Sequence, residues 1–354
     1  MDMQLHNLLE PPRLIRHFSL TPPEGFVCIG IDPPLFRARF DLLTTLEPRI
    51  RKRIDALPFA RFWRRLFEVT ATFAGTTVSE YVPLPAGQPP SSVLSLLLAG
   101  TDDPFLIVKD LPVEAVLVGT AAIGHAQRFA EACVAAGFTL MEGQALAYVP
   151  IDFGSIDEFL SRFSHSRRKT LRRKLRSRKQ IEVEAIRAGD ARFDSDDFIG
   201  EIHRLYRNVY EQSDVHFDFL TEDFFRSLLR DASCGGTLFC YRASGRFIGW
   251  NLCFAIEDRL IDKYVGFEYP AARDHDLYAV SWFHNLEYAL EHGYGVYIAG
   301  WTDPEVKRQL GARFTPTMHA VRIRNPFLRL VLKCSKRWFE PDRRWYADVA
   351  NSHS

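Results

Sequence analysis

Between Arg162 and Lys179 the chain places ten Lys or Arg and no Asp or Glu. In the run Ser166-Arg-Arg-Lys-Thr-Leu-Arg-Arg-Lys-Leu-Arg-Ser-Arg-Lys179 only Leu171 and Leu175 are apolar, four apart, so a helix here buries a narrow seam and turns cations outward elsewhere. Two readings stay open. Arg167, Arg168, Arg172 and Arg173 could hold phosphates, or the segment is a solvated connector, at the cost of self-repulsion when no anionic partner is present. A second group lies on the helical stretch Ala279 to His292, where His284, Glu287 and Glu291 share the face opposite the apolar stripe. That face meets solvent, or a paired His and Glu works as a base if it looks into a cleft. The start of this helix, Tyr278, Ala279, Val280 and Ser281, offers amide N–H groups and a helix dipole to an anion. Trp250 and Tyr264 line a substrate wall or, as aromatics at strand spacing, belong to the core. Gly266 marks a bulge that re-aims the backbone, or is an ordinary strand glycine. His319, between Met318 and Ala320, reads as a packed or edge histidine, and Lys307, beside Arg308, reads on its own as a surface lysine.

These residues need elements to position them. Three strand-like runs follow one another, Thr237 to Ala243, Phe247 to Ile256 and Leu260 to Phe267, and their short polar connections imply an antiparallel meander. A helix from Ala279 to His292 follows, with Gly293 where a left-handed cap is wanted, and then a buried strand, Val296 to Ala299. Upstream, Ile181 to Ile186 alternates as a strand. Two helices come next, one with Ser195 as N-cap and Phe198, Ile202, Leu205 and Val209 on one stripe, the other starting at Thr221. The order of strand, two helices, three antiparallel strands, helix, strand, short helix, strand resembles the GNAT acyltransferase fold.

A chain of 354 residues with 47% hydrophobic and 25% charged residues is a globular composition with room for two domains. Its net charge of +1 excludes a protein that binds nucleic acid over its whole surface. The chain has no run of about 18 uncharged apolar residues and no basic-then-apolar start, so a cytoplasmic location is expected. The six cysteines (28, 133, 234, 240, 253 and 334) form no C-x-x-C pair and are expected as reduced thiols, with no metal site. An internal repeat is also legible. The helix ending before Gly137 matches the helix ending before Gly293, and Phe105 to Lys109 matches Ile261 to Val265, both at an offset of 156 residues. The expected fold is therefore a mixed α/β, tandem GNAT arrangement of two similar domains. Its parts are a tail at 1–20, a diverged domain at 21–160, a basic connector helix at 161–180, a second domain at 181–326 and a basic amphipathic segment at 327–354.

The resemblance narrows on the Ser-x-x-Arg-Arg-Lys-x-x-Arg-Arg run at 164–173, Leu220 to Phe225, Tyr264 to Phe267, Leu286 to Ala289 with His292-Gly293, and Gly300 with Val306-Lys-Arg-Gln-Leu-Gly311. From about Phe105 to Arg324 the chain resembles the Fem-type, peptidogalycan-recognition branch of GNAT proteins. That resemblance implies transfer of an acyl or aminoacyl group from acyl-CoA, or alternatively from aminoacyl-tRNA, to an amine acceptor. It also implies Lys307 as the cation near the transferring carbonyl, and a site between splayed strands around Tyr264 to Phe267 and Val296 to Gly300. The chain departs from acetyltransferases at the loop Glu268 to Tyr278, which contains no glycine to hold a pyrophosphate. A non-catalytic module holding RNA or another polyanion through the basic helix is the alternative. Phe327, Leu330, Val331, Cys334 and Trp338, ringed by Arg and Lys, read as a helix that docks on its own domain or lies on an anionic membrane.

Overall fold

The computed structural model describes residues 5–31, 34–42, 53, 68–213 and 217–336. The chain divides into unit 1, Met1–Leu146 with Phe314–Ser354, and unit 2, Ala147–Arg313. Unit 1 begins with β1 (Leu5–His6) and α1 (Pro12–Leu20), which buries Leu14, Ile15 and Phe18. The antiparallel strands β2 (Val27–Ile31), β3 (Pro34–Asp41) and β4 (Glu68–Ala74) follow. Then come β5 (Leu84–Pro85), α2 (Pro90–Ala99), β6 (Phe105–Pro112), α3 (Gly119–Ala135) and β7 (Thr139–Glu142).

β8 (Leu146–Pro150) leads into unit 2, followed by α4 (Ile156–Ser161) and α5 (His165–Leu175), the basic helix. Ser164 caps α5 by accepting from Arg167 N, and Leu171 is the buried seam residue. β9 (Ile181–Arg187), α6 (Asp196–Gln212) and α7 (Glu222–Arg230) come next. Ser195 and Thr221 cap the two helices as their types suggest, accepting from Phe198 N and Phe224 N. The meander is β10 (Gly236–Ala243), β11 (Arg246–Ile256) and β12 (Arg259–Phe267). A single turn, α8 (Ala271–Asp274), precedes α9 (Leu277–Glu291), β13 (Val296–Gly300), α10 (Pro304–Gln309) and β14 (Arg313–Thr315). The chain then contributes β15 (Thr317–Ile323) and α11 (Pro326–Ser335) to unit 1.

Among the described residues the two large sheets share one plan. Their orders are β2-β3-β4-β6-β15-β7 and β10-β11-β12-β13-β8-β14, with β9 added outside β10. In each, an antiparallel meander ends on a strand whose next neighbour is parallel, β4 with β6 and β12 with β13. In each, the strand after that comes from the other half of the sequence. The fold is thus a tandem GNAT arrangement, but the repeat runs in a different register from the offset of 156. That offset pairs β6 with β12, whereas the sheet plan pairs β6 with β13 and β4 with β12. The reason is local: a Gly-capped amphipathic helix leading into a buried strand occurs twice in each half, and a short match cannot tell the copies apart.

The expected boundaries change with it. β8 belongs to the sheet of unit 2, β15 to that of unit 1, and the basic helix lies within unit 2 rather than between domains. Pro316 alone separates β14 from β15, which reads locally as continuation in one sheet. Cys133, Cys234, Cys240 and Cys253 are buried, Cys28 is half-buried and Cys334 is exposed, all with free thiols.

Candidate functional site

The parallel pairing of β12 with β13 stops early, at Arg259 with Val296, Leu260 with Tyr297 and Ile261 with Ile298. Beyond this the strands part, and Asp262 and Ala299 are the first unpaired residues on either side. β12 also shifts register here, Leu252 facing Tyr264 and Cys253 facing Asp262, so the bulged residue is Lys263. The expected splay is present, but the expected bulge at Gly266 is not: Gly266 faces Trp250 in regular register. A Cβ at Gly266 would come 2.6 Å from Trp250 Cε2 and 2.9 Å from the Tyr206 backbone N, so the glycine serves close packing of α6 on the sheet.

Lys307 is not a surface residue. It is 4% exposed, and its Nζ donates to the Ala299 carbonyl at 2.5 Å, at the mouth of the splay. The turn before α10 aims it there, with Gly300 at φ 75° and Asp303 at φ 52°. Across the splay stands Asp262, in a polar network within an otherwise apolar layer. Its Oδ2 accepts from Asn285 Nδ2 at 3.0 Å and Tyr297 OH at 3.0 Å, and its Oδ1 accepts from Asn251 Nδ2 at 3.2 Å. Tyr241 OH donates to Asn251 Oδ1 at 2.6 Å. Asn251, Asn285, Tyr241 and Tyr297 are fully buried. Burial pushes the Asp262 carboxyl up to about 6, against the pull of the Asn251 and Tyr297 donors and the Lys307 charge. The signal for this group was in the sequence, as polar residues inside apolar runs: Asn251 in β11, Asp262 in β12, Asn285 in α9.

Beside the splay, unit 2 has a cavity of about 380 Å³ lined by Arg167, Lys174, Tyr269, Arg273, Tyr278 and Asp303, among others. Its cations are already engaged. Arg167 Nε donates to the Gln309 carbonyl at 2.8 Å, Lys174 lies 3.6 Å from Asp276, and Arg273 stacks on Tyr269 and donates to Gln212 at 2.7 Å. Burial and the neighbouring Arg308 hold the Arg167 guanidinium below its ordinary value. Tyr278 and Ala279 line this cavity, while Val280 and Ser281 are buried in the helix packing. At the head of α9 the N-cap residue is Asp276, and at the head of α10 it is Asp303, both left-handed at φ 50° and 52°. Two carboxylates therefore stand at the helix heads, where an anion would otherwise meet free amides.

The other basic residues face elsewhere. Arg168 reaches the Ser161 carbonyl, and Arg172 pairs with Asp157 at 2.8 Å beside a second hollow of about 270 Å³ lined also by Arg176, Lys179 and Glu287. Arg173 is exposed. Lys169, Arg173, Arg176 and Lys179 carry no charged partner among the described residues.

The proposed substrate wall is core instead. Trp250 is fully buried with Nε1 donating to the Ile202 carbonyl at 3.0 Å, and Tyr264 packs edge-on against Phe224 and Phe225. His284 and Glu287 do not pair. Glu287 binds Arg178, while His284 lies edge-on to Phe239 of β10, where burial and the Arg178 charge hold its pKa down at about 4. His319 is partly buried in unit 1, where its Nδ1 accepts from Asp110 N at 3.0 Å. On α11, Phe327 and Leu330 are 69% and 60% exposed, and Arg329 Nε, not the apolar stripe, ties the helix down through the Ile323 carbonyl. Trp338 lies outside the described residues.

The FemAB-like family model, described as peptidogalycan biosynthesis/recognition, matches residues 117–348. Among solved structures, L-PGS from Bacillus licheniformis is similar at 10% identity over 94% of this chain and 98% of that one, with a TM-score of 0.53. FemX is similar at 14% identity over 94% of this chain and 96% of its own, with a TM-score of 0.52. No curated protein matches the chain.

Proposed function

The chain belongs to the FemAB-like family, whose members are acyl and aminoacyl transferases, and we propose that it transfers an aminoacyl group from a charged transfer RNA to an amine at the splayed ends of β12 and β13. The observation that carries this is the buried Lys307 ammonium at the mouth of the splay. Aminolysis of an ester needs a neutral amine, a polarised carbonyl and a stabilised leaving oxygen. A fixed cation beside unpaired strand ends favours the oxyanion as it develops, and holding both reactants in the gap supplies much of the remainder.

The two N-capping carboxylates and the glycine-free loop favour a ribose ester over a coenzyme A thioester as donor. The face of α5 with Lys169, Arg173 and Arg176, continued by Lys179, suits an RNA backbone. That ridge alone would also serve a non-catalytic module, but such a module gains nothing from burying an ammonium at the splay, which costs several kcal/mol to desolvate. The exposed apolar face of α11, flanked by Arg329, Lys333 and Lys336, supports peripheral contact with anionic lipid near a membrane-linked acceptor. Among the described residues no helix is long and apolar enough to cross a membrane. Flotation with phosphatidylglycerol vesicles, lost on Phe327→Ser with Leu330→Ser, tests that contact, and unchanged flotation refutes it.

The function is tested by incubating the protein with a lysine-containing peptide as amine acceptor and either a mixed pool of charged transfer RNA or acetyl-CoA. Transfer from RNA and none from the thioester is expected. The reverse result overturns the donor, and neither transfer nor saturable RNA binding overturns the reading.

A further inference from the structure

The second hollow of unit 2, about 270 Å³, differs in kind from the cavity beside the splay. Its floor is aliphatic, made by Ile156 and Leu160 of α4 and Leu175 of α5, and its rim is charged. Arg172, Arg176 and Lys179 stand there with two carboxylates, Asp157 and Glu287. Both acids are engaged in surface pairs. Asp157 accepts from Arg172 Nη2 at 2.8 Å, the two side chains 80% and 55% exposed, and Glu287 pairs with Arg178. In water such pairs hold weakly and part readily for a better partner. Carboxylates in the path of a polyanion lower its affinity, so on a surface that takes an RNA backbone they point to a group that brings hydrogen-bond donors to them.

Helix α9 sets the distance from this hollow to the site. Tyr278, at the head of the helix, lines the cavity beside the splay, and Glu287 lines the hollow. At about 1.5 Å per residue the two lie roughly 14 Å apart along the axis. Helix α5 joins the same two places, with Arg167 and Lys174 at the cavity and Arg172 and Leu175 at the hollow. A strand of RNA advances about 3.4 Å per stacked nucleotide, so the span holds about four nucleotides, and fewer where bases are pulled out of the stack. Transfer RNA carries its ester on a terminal adenosine that follows two cytosines in a single strand. We propose that, with the ester at the splay, the hollow seats one of these cytosines, unstacked, its face on Ile156, Leu160 and Leu175 and its N4 amino group donating to the carboxylates of the rim. Asp and Glu accept from this amino group wherever they read cytosine. Uracil in the same place sets a carbonyl oxygen against the two anions. Arg172, Arg176 and Lys179 meet the flanking phosphates, which position the strand and carry no base information. The inference rests on the RNA-donor reading and adds to it the nucleotide that is read.

The test needs no transfer. Fluorescence anisotropy of the full chain with end-labelled RNA tetranucleotides, ACCA against AUUA at one salt concentration, reads the base preference directly. ACCA should bind about 10-fold more tightly, the discrimination of one well-made base contact. In the double variant Asp157→Ala with Glu287→Ala the preference should vanish while AUUA binds as tightly as before or more tightly, because two repelling charges are gone. Retained binding of AUUA also shows that the variant is folded. A purely structural role for the two acids predicts instead that both oligonucleotides weaken alike, and that result overturns the proposal, as does a cytosine preference that survives in the variant. Equal affinities for ACCA and AUUA in the parent overturn it while leaving the RNA donor in place. Saturable binding of neither oligonucleotide overturns the RNA donor and the cytosine seat together.

Discussion

Replacing Lys307 by Met removes the ammonium and keeps most of the side-chain volume, so its consequences can be worked out separately for stability and for rate. Packing changes little, since the methionine refills a site that is 4% exposed. The lost hydrogen bond strands the Ala299 carbonyl, which costs about 1 to 3 kcal/mol if water does not reach it. The rate loss is set by the oxyanion: removing one preorganised donor costs about 10² to 10³ in turnover, or about 3 to 4 kcal/mol, because the group acts where charge develops. The assay is steady-state transfer from charged RNA to a peptide amine, with kcat and KM resolved. A drop in kcat with little change in KM is expected. Arg308→Met is the control, since Arg308 is exposed and pairs only across a turn with Glu305 at 2.6 Å, an interaction worth about 0 to 1 kcal/mol. A raised KM with kcat preserved would reassign Lys307 to donor binding, and parent-like kinetics in the folded variant would refute its catalytic role.

Neutralising Lys169, Arg173, Arg176 and Lys179 to Gln should lower the slope of log affinity for RNA against log salt by about 3, as four phosphate contacts contribute roughly 0.7 to 0.9 each; an unchanged slope removes the ridge from the interface. Gly266→Ala should destabilise unit 2 by about 3 kcal/mol, read as a lowered denaturation midpoint, because Trp250 and the Tyr206 backbone leave no room. Gly293→Ala, at φ 72° with nothing within 4 Å, should cost only about 1 kcal/mol. Stability against pH carries two opposed slopes. Asp262 is raised from 3.8 to about 6, so over that window the unfolded chain has shed a proton the native chain keeps, and stability falls by about 3 kcal/mol as pH rises. His284 is lowered from 6.5 to about 4, so the unfolded chain binds a proton the native chain lacks, and stability rises by about 3 kcal/mol across the same range. Denaturant midpoints should therefore rise with pH in Asp262→Asn and fall in His284→Phe relative to the parent, and parallel curves would contradict both assignments.

The elements of unit 2 were legible because each carried its own local signature. Ser195 and Thr221 are side-chain caps, Gly293 ends α9, and the polar turns between β10, β11 and β12 leave one meander open to them. The exchange of β8 and β15 between sheets was not legible, because strand partnership at long range leaves no mark on the strand's own residues. At the site, Lys307 was found through resemblance; nothing in its neighbours' types separates a buried lysine from an exposed one. At Trp250, Tyr264 and His284 two readings stayed open for the opposite reason. Their chemistry is versatile, and only packing against Ile202, Phe225 and Phe239 reveals that it is spent in the core. The four arginines selected from the basic run split by helical position: Arg167 turns into the cavity, Arg168 onto the Ser161 carbonyl, Arg172 into a second hollow, and Arg173 into solvent. The Asp262 network was missed although Asn251, Asp262 and Asn285 each interrupt an apolar run, a pattern that signals a buried polar layer.

The central claim is that acyl transfer occurs where β12 and β13 part. A crystal structure with a 3′-aminoacylamino-adenosine, a stable mimic of the charged end of transfer RNA, tests it most directly. The carbonyl oxygen of the mimic is expected between Asp262 and Ala299, about 3 Å from Lys307 Nζ. A mimic bound in unit 1, or in unit 2 with its carbonyl out of reach of Lys307, would contradict it.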